Sequence, residues 1–406
     1  MNSLNRSYAL LYRMDRNEWL KAKIDQLNQT GLQRSLRTVM SAPTGRIVLD
    51  GHEVISLGSN NYIGLSVNPK VIKAATEAIQ EFGAGASGSR LMTGNCQLYA
   101  KLEAKIATVK KTEAALVFSS GYSANISTIP ALMGEGDLIL SDTLNHASII
   151  DGCRLSNATK QIYRHCDIIH LKERLAQSAK FRRRLIVTDG VFGMDGDIAP
   201  LPNICNLADA YDAMVMVDDA HGFGVLGKNG GGTVEHFGLE GRGIIQMGTL
   251  SKAIGGLGGY VAGSHVLIEF LINHARGFMF STGLPPATLA AASAAIDVMQ
   301  TTPELRHRLL SNARWLRTRL IEAGFKLLPG ETQIIPIILG DEKMASRFAE
   351  SLLVHGVYAP AIRPPTVPEG TSRLRISVMA CHTPEDLEEA IAAFVAVRSG
   401  LPFNSH

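Results

Sequence analysis

The stretch GIIQMGTLSKAIGG, residues 243–256, is the most informative part of the chain for both fold and chemistry. Its opening apolar run, 243–247, predicts a short buried strand, and Lys252 follows just past that strand's carboxyl end. Open α/β sheets bind their ligands at this end of the strands. The residues around Lys252 are suited to holding a phosphate, and a lysine with a lowered pKa forms Schiff bases with carbonyl compounds such as pyridoxal phosphate (PLP). Taken alone, the stretch fits an exposed loop lysine among flexible glycines equally well.

Further apolar strands alternate with amphipathic helical stretches between about residue 110 and residue 265. Continuous apolar runs separated by helices are typical of a mostly parallel sheet that is covered on both faces. The predicted fold class is therefore α/β. The strands predicted besides 243–247 are 114–118, 137–140, 185–188, 213–217 and 259–262.

The pattern changes beyond about residue 290, where one long helical stretch continues to about Ala323. A strand at 333–338, a helix around 344–354 and a strand at 373–378 follow, which predicts a separate α+β domain. The predicted parts of the chain are an N-terminal helical segment with short strands (1–58), a large cofactor-binding domain (59–290) and a C-terminal α+β domain (291–406).

Composition excludes several classes of protein. The chain has 406 residues, 46% of them hydrophobic, and 40 Lys+Arg against 37 Asp+Glu, so a net charge of +3 predicts no nucleic-acid partner. The first six residues lead into charged helical sequence, and no 18 uncharged apolar residues occur together, which predicts neither a signal peptide nor a membrane span. Five scattered cysteines favour reduced thiols in a cytoplasmic protein.

An acidic motif, VDDAHG at residues 217–222, lies at the carboxyl end of the predicted strand 213–217. A buried Asp218 can stay ionised beside a cation, and a protonated pyridine nitrogen is such a cation. His221, three residues further on, is placed to reach the cofactor's phenolic oxygen. A metal site made from Asp218, Asp219 and His221 is the competing interpretation, although no further ligands cluster with them in the sequence.

Two other strand ends carry groups that suit a cofactor site. Gly121 and Tyr122 begin a helix after strand 114–118, and the free N–H groups at a helix N-terminus bind anions. His146 follows strand 137–140 and presents an imidazole that can stack on a planar ring, although a lone histidine is more often structural.

Two residues outside these strands suit an amino-acid substrate. Asn60 lies in the motif SNNY, residues 59–62, and Arg375 alternates with apolar neighbours in strand 373–378. An inward-facing guanidinium needs a carboxylate or phosphate partner, and an amino acid has that carboxylate.

Together these residues resemble the PLP-dependent α-oxoamine synthases, a family with the aspartate-aminotransferase fold (fold type I). The resemblance covers about residues 55–397. It implies a large domain with a mostly parallel seven-stranded sheet, PLP as cofactor, no metal, and a homodimer with its active sites at the interface. It also implies that Lys252 forms the Schiff base and moves the substrate's α-proton.

The same resemblance implies roles for the other residues. Asp218 pairs with the pyridine nitrogen, His221 contacts the phenolic oxygen, and His146 stacks over the ring. Asn60 and Arg375 hold the substrate carboxylate. Gly121, Tyr122 and Thr249 match the family's phosphate-binding positions. Ser281 and Thr282 match a segment that reaches across the dimer interface, and the resemblance implies that they also bind the cofactor.

The reaction implied is a decarboxylative condensation of an amino acid with an acyl thioester, which releases CO2 and a free thiol. Segment 361–375 is most similar to the branch of the family that builds the carbon skeleton of biotin, which predicts L-alanine and a pimeloyl thioester of coenzyme A or a carrier protein. Segments 148–152 and 188–192 are also similar to the glycine acetyltransferase branch. An aminotransferase of the same fold and a non-catalytic synthase subunit are further alternatives.

Two positions depart from the family's usual sequence. Gly193 stands where a serine usually donates to the cofactor's phenolic oxygen, and Tyr99 stands where a histidine is usual. Loss of one hydrogen bond of about 1 kcal/mol is expected to change the pKa of the Schiff base without abolishing cofactor binding.

Overall fold

A computed structural model of the chain describes residues 17–400. In chain order the strands are β1 (Arg46–Leu49), β2 (His52–Ser56), β3 (Ala114–Phe118), β4 (Leu138–Asp142), β5 (Thr159–Tyr163), β6 (Arg184–Asp189), β7 (Met214–Asp218), β8 (Ile245–Thr249), β9 (Gly259–Gly263), β10 (Ile334–Gly340), β11 (Val357–Tyr358), β12 (Ala361–Ile362) and β13 (Ser372–Ser377). The helices are α1 (Glu18–Gln29), α2 (Pro69–Phe82), α3 (Gln97–Lys110), α4 (Gly121–Leu132), α5 (Ala147–Leu155), α6 (Ile168–Ala176), α7 (Leu201–Ala210), α8 (Thr233–His236), α9 (His265–His274), α10 (Arg276–Met279), α11 (Pro286–Thr301), α12 (Glu304–Glu322), α13 (Glu342–Val354) and α14 (Pro384–Gly400).

Seven of the strands form one sheet in the order β3-β9-β8-β7-β6-β4-β5. Strand β9 is antiparallel to both of its neighbours, and the other pairs are parallel. The prediction of a mostly parallel seven-stranded sheet is therefore confirmed. Because the parallel strands end at one edge, the loops that follow β4, β6, β7 and β8 lie side by side there.

Helices cover both faces of the sheet. Neighbouring residues of β3, Leu116 and Val117, point to opposite faces and belong to different apolar clusters. Leu116 packs with α4, α5 and α9, whereas Val117 packs with α3 and α11. On the face of Val117, α6 and α7 cover the far end of the sheet. Burial on both faces explains why these strands are continuous apolar runs in the sequence.

Strand β5, Thr159–Tyr163, was not predicted from the sequence. It lies at the edge of the sheet, where it pairs with β4 alone among the described strands. Its sequence, TKQIY, has one buried residue, Tyr163. An edge strand that is largely exposed carries no apolar run, and polar residues are common at sheet edges.

The long helical stretch predicted up to about Ala323 is wrong as a single helix. The structure has two helices, α11 and α12, which are separated at Thr302 and Pro303. Proline disfavours helical geometry in the residue before it, and this explains the break. Residue 290, the predicted domain boundary, lies within α11, whose buried side packs into the large-sheet cluster as far as Met299.

The C-terminal part is an α+β layer built on a second sheet, β10-β13-β12, which is antiparallel. Its apolar cluster combines α12, α13 and α14 with Ile55 and Leu57, from strand β2 and just after it. Strand β2 also pairs with β11 in parallel. The N-terminal strands therefore pack with the C-terminal part, although they are far from it in sequence.

The prediction for the N-terminal segment concerns in part residues 1–16, which lie outside the described residues. From Asn17 onward the chain forms α1 and the β1–β2 hairpin. Between residues 17 and 400, none of the helices is both long and apolar enough to span a membrane. All five cysteines lie in the described range and are free thiols.

Candidate active site

A cavity of about 540 Å³ lies at the carboxyl ends of the parallel strands. Loops after β3, β4, β6, β7 and β8 all contribute to its walls. Strand register brings distant residues together here, since Asp189 at the end of β6 lies opposite Asp218 at the end of β7. The residues predicted from the sequence that line the cavity are Gly121, Tyr122, His146, Asp218, His221, Thr249 and Lys252.

Lys252 lies three residues beyond β8 and lines the cavity. Its Nζ is 2.8 Å from Nε2 of His221. Burial lowers the pKa of Lys252 to about 8, with Arg375 acting in the same direction and Asp218 opposing it. A pKa near 8 leaves a useful share of the amine unprotonated at neutral pH, which a nucleophile or base requires. The interpretation as an exposed loop lysine is therefore wrong.

Asp218 ends β7 and is 3% exposed. One carboxylate oxygen accepts from Asn125 Nδ2 at 2.7 Å, and the other accepts from the Ala220 N–H at 3.0 Å. Both donors are neutral, and the carboxylate lines the cavity. A buried carboxylate with neutral donors is suited to binding a cation that enters the cavity.

Asp219 points away from Asp218. Its carboxylate pairs with Nζ of the buried Lys110 at 2.6 Å and accepts from both the N–H and the hydroxyl of Thr233. The metal site considered for Asp218, Asp219 and His221 is therefore not formed, because Asp219 is committed to another partner.

His221 is buried between Lys252 and a residue that the sequence did not single out, Tyr62. The Tyr62 hydroxyl is 2.7 Å from Nδ1 of His221 and 3.0 Å from Oδ1 of Asn60. Burial lowers the pKa of His221 well below its ordinary value, and the charges of Lys252 and Arg375 lower it further. His221 is therefore a neutral imidazole with partners on both nitrogens. Tyr62 is two residues from Asn60 in the same motif, and that proximity was the signal available in the sequence.

His146 is the N-cap of α5 and faces the cavity. Its backbone N–H donates to Asp189 at 2.7 Å, and Nδ1 of its ring is 2.7 Å from the Ser148 hydroxyl. That hydroxyl also accepts from Asn125, the residue that donates to Asp218. The orientation of His146 is thus connected to the Asp218 carboxylate through two side chains.

Asp189 is a second residue that the sequence did not assign to the site. It lines the cavity, is buried, and lies opposite Asp218 in the parallel register. Burial and the neighbouring Asp218 charge raise the pKa of Asp189 well above its ordinary value. The protonated form of Asp189 is therefore favoured more than it is in an exposed aspartate.

Gly193 lies directly against His221. A Cβ built on Gly193 would stand 2.5 Å from Nε2 of His221, closer than real Cβ contacts allow. A side chain at this position therefore requires His221 or the 190–197 loop to move. The family's usual serine is missing at this position, and the His221 ring occupies the space that the serine side chain would need.

Asn60 and Arg375 contact each other, but neither is among the residues that line the cavity. Nη1 of Arg375 donates to Asn60 Oδ1 at 3.2 Å and to the Ser377 hydroxyl at 2.7 Å. Its Nε donates to the carbonyl oxygen of Gly193, a residue of the cavity wall, and its Nη2 donates to the Tyr62 hydroxyl at 3.3 Å. Every nitrogen of the guanidinium therefore has a protein acceptor in this conformation.

Ser281 and Thr282 are not brought to the Lys252 cavity. They line a separate small hollow together with Tyr99 and Arg90. The Tyr99 hydroxyl accepts from the Leu284 N–H at 2.5 Å, and the Arg90 guanidinium lies 3.8 Å above the Tyr99 ring. Tyr99 therefore fixes the backbone just after Ser281 and Thr282.

A charged cluster holds the 190–197 loop in place. His165 lies between two carboxylates, with Nδ1 3.0 Å from Asp142 and Nε2 2.9 Å from Asp197. Although burial lowers the pKa of His165, its hydrogen bonds with Asp142 and Asp197 raise it to about 12. Asp142 ends β4, and Asp197 closes the loop that carries Gly193, so the imidazolium ties the loop to the sheet.

Replacing His165 with asparagine is expected to lower the free energy of unfolding by about 3 kcal/mol, because it leaves the buried Asp142 carboxylate without its cation. The raised pKa makes this stabilisation complete below the ordinary histidine pKa of about 6.5, and it is lost as the pH rises towards 12. Urea unfolding should therefore show a larger difference between the wild type and the variant at pH 6 than at pH 9. The exposed His52, replaced in the same way, is the control. An equal difference at both pH values would contradict the ion-pair role.

Comparison with known proteins agrees with this geometry. A family model for aminotransferases of class I and II matches residues 52–394. The 8-amino-7-oxononanoate synthases of Symbiobacterium thermophilum and Geobacter sulfurreducens are 50% and 51% identical to the chain over 381 residues, covering 94% and 93% of it and 97% of each relative. A structure of serine palmitoyltransferase with PLP as an internal aldimine has a TM-score of 0.90 at 36% identity, covering 96% of this chain and 99% of that one.

A solved 8-amino-7-oxononanoate synthase from Francisella tularensis is also similar, with a TM-score of 0.74 at 27% identity, covering 86% of this chain and 98% of that one. The resemblance drawn from the sequence is thus confirmed for the family. The cavity at the ends of the parallel strands contains a lysine, and the family model matches most of the chain's length. The chain therefore belongs to the aminotransferase class I and II family.

Proposed function

We propose that the chain binds PLP and condenses L-alanine with a pimeloyl thioester, giving 8-amino-7-oxononanoate, CO2 and a free thiol. The observation that carries this proposal is the arrangement of Lys252, His221 and Asp218 around one cavity. The sequence identity of about 50% to 8-amino-7-oxononanoate synthases over nearly the whole chain supports the choice of substrates.

The residues around the cavity fit PLP. The Asp218 carboxylate, with its two neutral donors, is suited to pairing with a protonated ring nitrogen. At the start of α4, a Cβ on Gly121 would come within 3.3 Å of Thr249, so glycine lets the backbone approach closely where a phosphate would bind. The N-terminus of this 12-residue helix and the Thr249 hydroxyl would hold the phosphate, with Tyr122 beside them.

Bound PLP supplies an electron sink that stabilises a negative charge on the α-carbon of an amino acid. The protein's part is to position the groups that move protons. Lys252, as the neutral amine that its lowered pKa favours, accepts the α-proton at Nζ. Asp218 would stabilise a positive charge on the ring nitrogen electrostatically, because its carboxylate is buried.

The substrate carboxylate is assigned to Arg375 and Asn60, which contact each other beside the cavity wall. His146, which lines the cavity, is assigned to stack over the ring and to donate a proton to the thioester oxygen. His221 is assigned to the phenolic oxygen, since its Nε2 already faces the Lys252 amine.

A homodimer is the proposed assembly. Ser281 and Thr282 are assigned to the phosphate of a partner subunit, and their distance from the cavity of their own chain supports this assignment. The neighbouring Phe280 is 69% exposed and offers an apolar contact for a partner subunit. The five free cysteines support a reducing compartment such as the cytoplasm.

A matrix of amino acids against acyl thioesters tests the proposed substrates. Purified protein should be yellow with PLP, and free thiol should appear only when an amino acid and a thioester are both present. L-Alanine with pimeloyl-CoA or a pimeloyl carrier protein is expected to give the highest rate. Preference for glycine with acetyl-CoA would favour the glycine acetyltransferase alternative, and a colourless protein that binds no PLP would refute the proposal.

Replacing Gly193 with serine is expected to change the pH dependence of the absorption spectrum of the PLP-loaded protein. The new side chain must displace His221, since its Cβ would lie 2.5 Å from Nε2. A change of one hydrogen bond predicts a shift of about 0.5 to 1 pH unit in the spectral midpoint. Gly134, which has open space around it, provides the control substitution to serine. An unchanged profile in the Gly193→Ser variant would show that this position does not influence the Lys252 site.

A further inference from the structure

We propose that Tyr62 is a positioning residue that lets His221 change its tautomer and so follow the charge of Lys252. The inference rests on the proposed function, because it concerns the amine that is assigned there to the α-proton. Tyr62 does not itself touch the reacting atoms in this assignment. It acts through His221, whose other nitrogen faces Lys252.

The contacts form one continuous chain of hydrogen bonds. Lys252 Nζ is 2.8 Å from His221 Nε2, and His221 Nδ1 is 2.7 Å from the Tyr62 hydroxyl. The same hydroxyl is 3.0 Å from Asn60 Oδ1 and accepts from Arg375 Nη2 at 3.3 Å. Tyr62 is fully buried, and His221 and Arg375 are nearly so. Bulk water therefore does not compete for the contacts of the Tyr62 hydroxyl, whereas Lys252 lines the cavity.

The Tyr62 hydroxyl has one proton and two acceptors within reach. If it donates to Nδ1 of His221, the neutral imidazole carries its proton on Nε2, and that N–H donates to Lys252. This arrangement fits only a neutral amine, because an ammonium group has no lone pair to accept the bond.

In the second arrangement, donor and acceptor are exchanged in each hydrogen bond that links Tyr62, His221 and Lys252. If the hydroxyl donates to Asn60 Oδ1, its oxygen can accept from Nδ1–H of His221, and Nε2 is then free to accept from Lys252. This is the arrangement that an ammonium group requires. A single rotation of the Tyr62 hydroxyl therefore serves both charge states of Lys252 without charging His221.

The surrounding charges keep the imidazole neutral in both arrangements. The titratable and charged groups that act on His221 and Lys252 come from several elements and are Asp218, Asp189, His146, Arg375 and Tyr62 itself. Burial, with the charges of Lys252 and Arg375, lowers the pKa of His221 well below its ordinary value. A tautomer exchange, rather than a gain of charge, is thus the response open to His221.

Replacing Tyr62 with phenylalanine removes the hydroxyl but keeps the ring that fills the core. Nδ1 of His221 then has no partner on that side, and a buried N–H without an acceptor is rarer in proteins than a buried acceptor without a donor. The tautomer with its proton on Nε2 is therefore favoured, and the ammonium form of Lys252 loses its acceptor. We expect the pKa of the Lys252 amine to fall by about 1 unit, the equivalent of one hydrogen bond.

The test uses the full-length chain, freed of PLP and labelled with ¹⁵N-histidine, so that the Lys252 amine titrates. In the wild type, the ¹⁵N shifts of His221 should exchange tautomer as the pH passes through about 8, where Lys252 titrates. In Tyr62→Phe they should keep the Nε2–H tautomer throughout. Competitive acetylation of Lys252 as a function of pH, read by peptide mass, gives the shift of its pKa independently. A His221→Asn variant assigns the signals.

Tyr260→Phe is the matched control, because Tyr260 is also fully buried and its hydroxyl has no hydrogen-bond partner among the described residues. It should leave both the His221 tautomer and the Lys252 titration unchanged. The proposal is overturned if wild-type His221 keeps one tautomer across the titration of Lys252, or if Tyr62→Phe leaves that titration unchanged. The measurements need neither substrate nor turnover, so their failure would leave the proposed condensation untouched.

Discussion

Replacing Lys252 with alanine is expected to lower the rate of thiol release at least about 10³-fold, since one substitution removes both the covalent anchor of the cofactor and the base for the α-proton. The amine is 2.8 Å from His221, and burial lowers its pKa to about 8. No other residue at this position can form an imine. The measurement is the initial rate of thiol release with both substrates saturating, together with the absorption of the purified protein.

Two controls separate chemistry from folding in this experiment. Lys252→Arg keeps the positive charge and should be equally inactive, because a guanidinium does not form the imine or accept a proton at neutral pH. Lys101→Ala changes an exposed lysine on α3 and should retain the wild-type rate. A Lys252→Ala variant with the full rate would revive the alternative of a non-catalytic synthase subunit.

Replacing Asp218 with asparagine is expected to lower the turnover about 10²- to 10³-fold while the fold is retained. The loss is expected because the Asp218 carboxylate at the end of β7 is the group that would pair with the ring nitrogen, and electrostatic stabilisation of this kind is often the largest contribution to catalysis. The new amide can be accommodated, because Oδ1 of Asn125 has no hydrogen-bond partner among the described residues. A rotated Asn125 amide would accept from the new amide at position 218 and from Ser148, at the cost of leaving its own Nδ2 without an acceptor.

The measurement is kcat for thiol release, with thermal unfolding as the check on folding. Asp209→Asn, an exposed aspartate paired with Arg242, is the matched control and should leave kcat unchanged. If the Asp218→Asn protein turned over at the wild-type rate with the same cofactor spectrum, Asp218 would not be the partner of the ring nitrogen.

The parts of the fold that could be predicted are those whose burial is visible in the sequence. Strands such as β3 and β7 are covered on both faces, so they appear as continuous apolar runs. Strand β5 could not be found in this way, because it lies at the sheet edge and is mostly exposed. The break between α11 and α12 is not evident from periodicity, because apolar residues recur at helical spacing on both sides of Pro303.

The site residues that could be predicted also differ physically from those that could not. Lys252, Asp218 and His146 follow strand ends, and the rule for open α/β sheets predicts that such residues meet. Asp189 also follows a predicted strand, 185–188, so the same rule could have found it. Tyr62 carries no such signal, since its role comes from a contact with His221, which is far away in the sequence. Gly193 was recognised as a departure from the family, but the position of the His221 ring against it required the three-dimensional structure.

The stoichiometry of the reaction tests the central claim most directly. Wild-type protein with PLP, ¹⁴C-carboxyl-labelled L-alanine and a pimeloyl thioester should release one labelled CO2 for each free thiol, with 8-amino-7-oxononanoate identified by its mass. None of these three products should form when one substrate is omitted. Conversion of the cofactor to its amine form by alanine alone, with pyruvate formed and no CO2 or thiol released, would contradict the account and identify an aminotransferase instead.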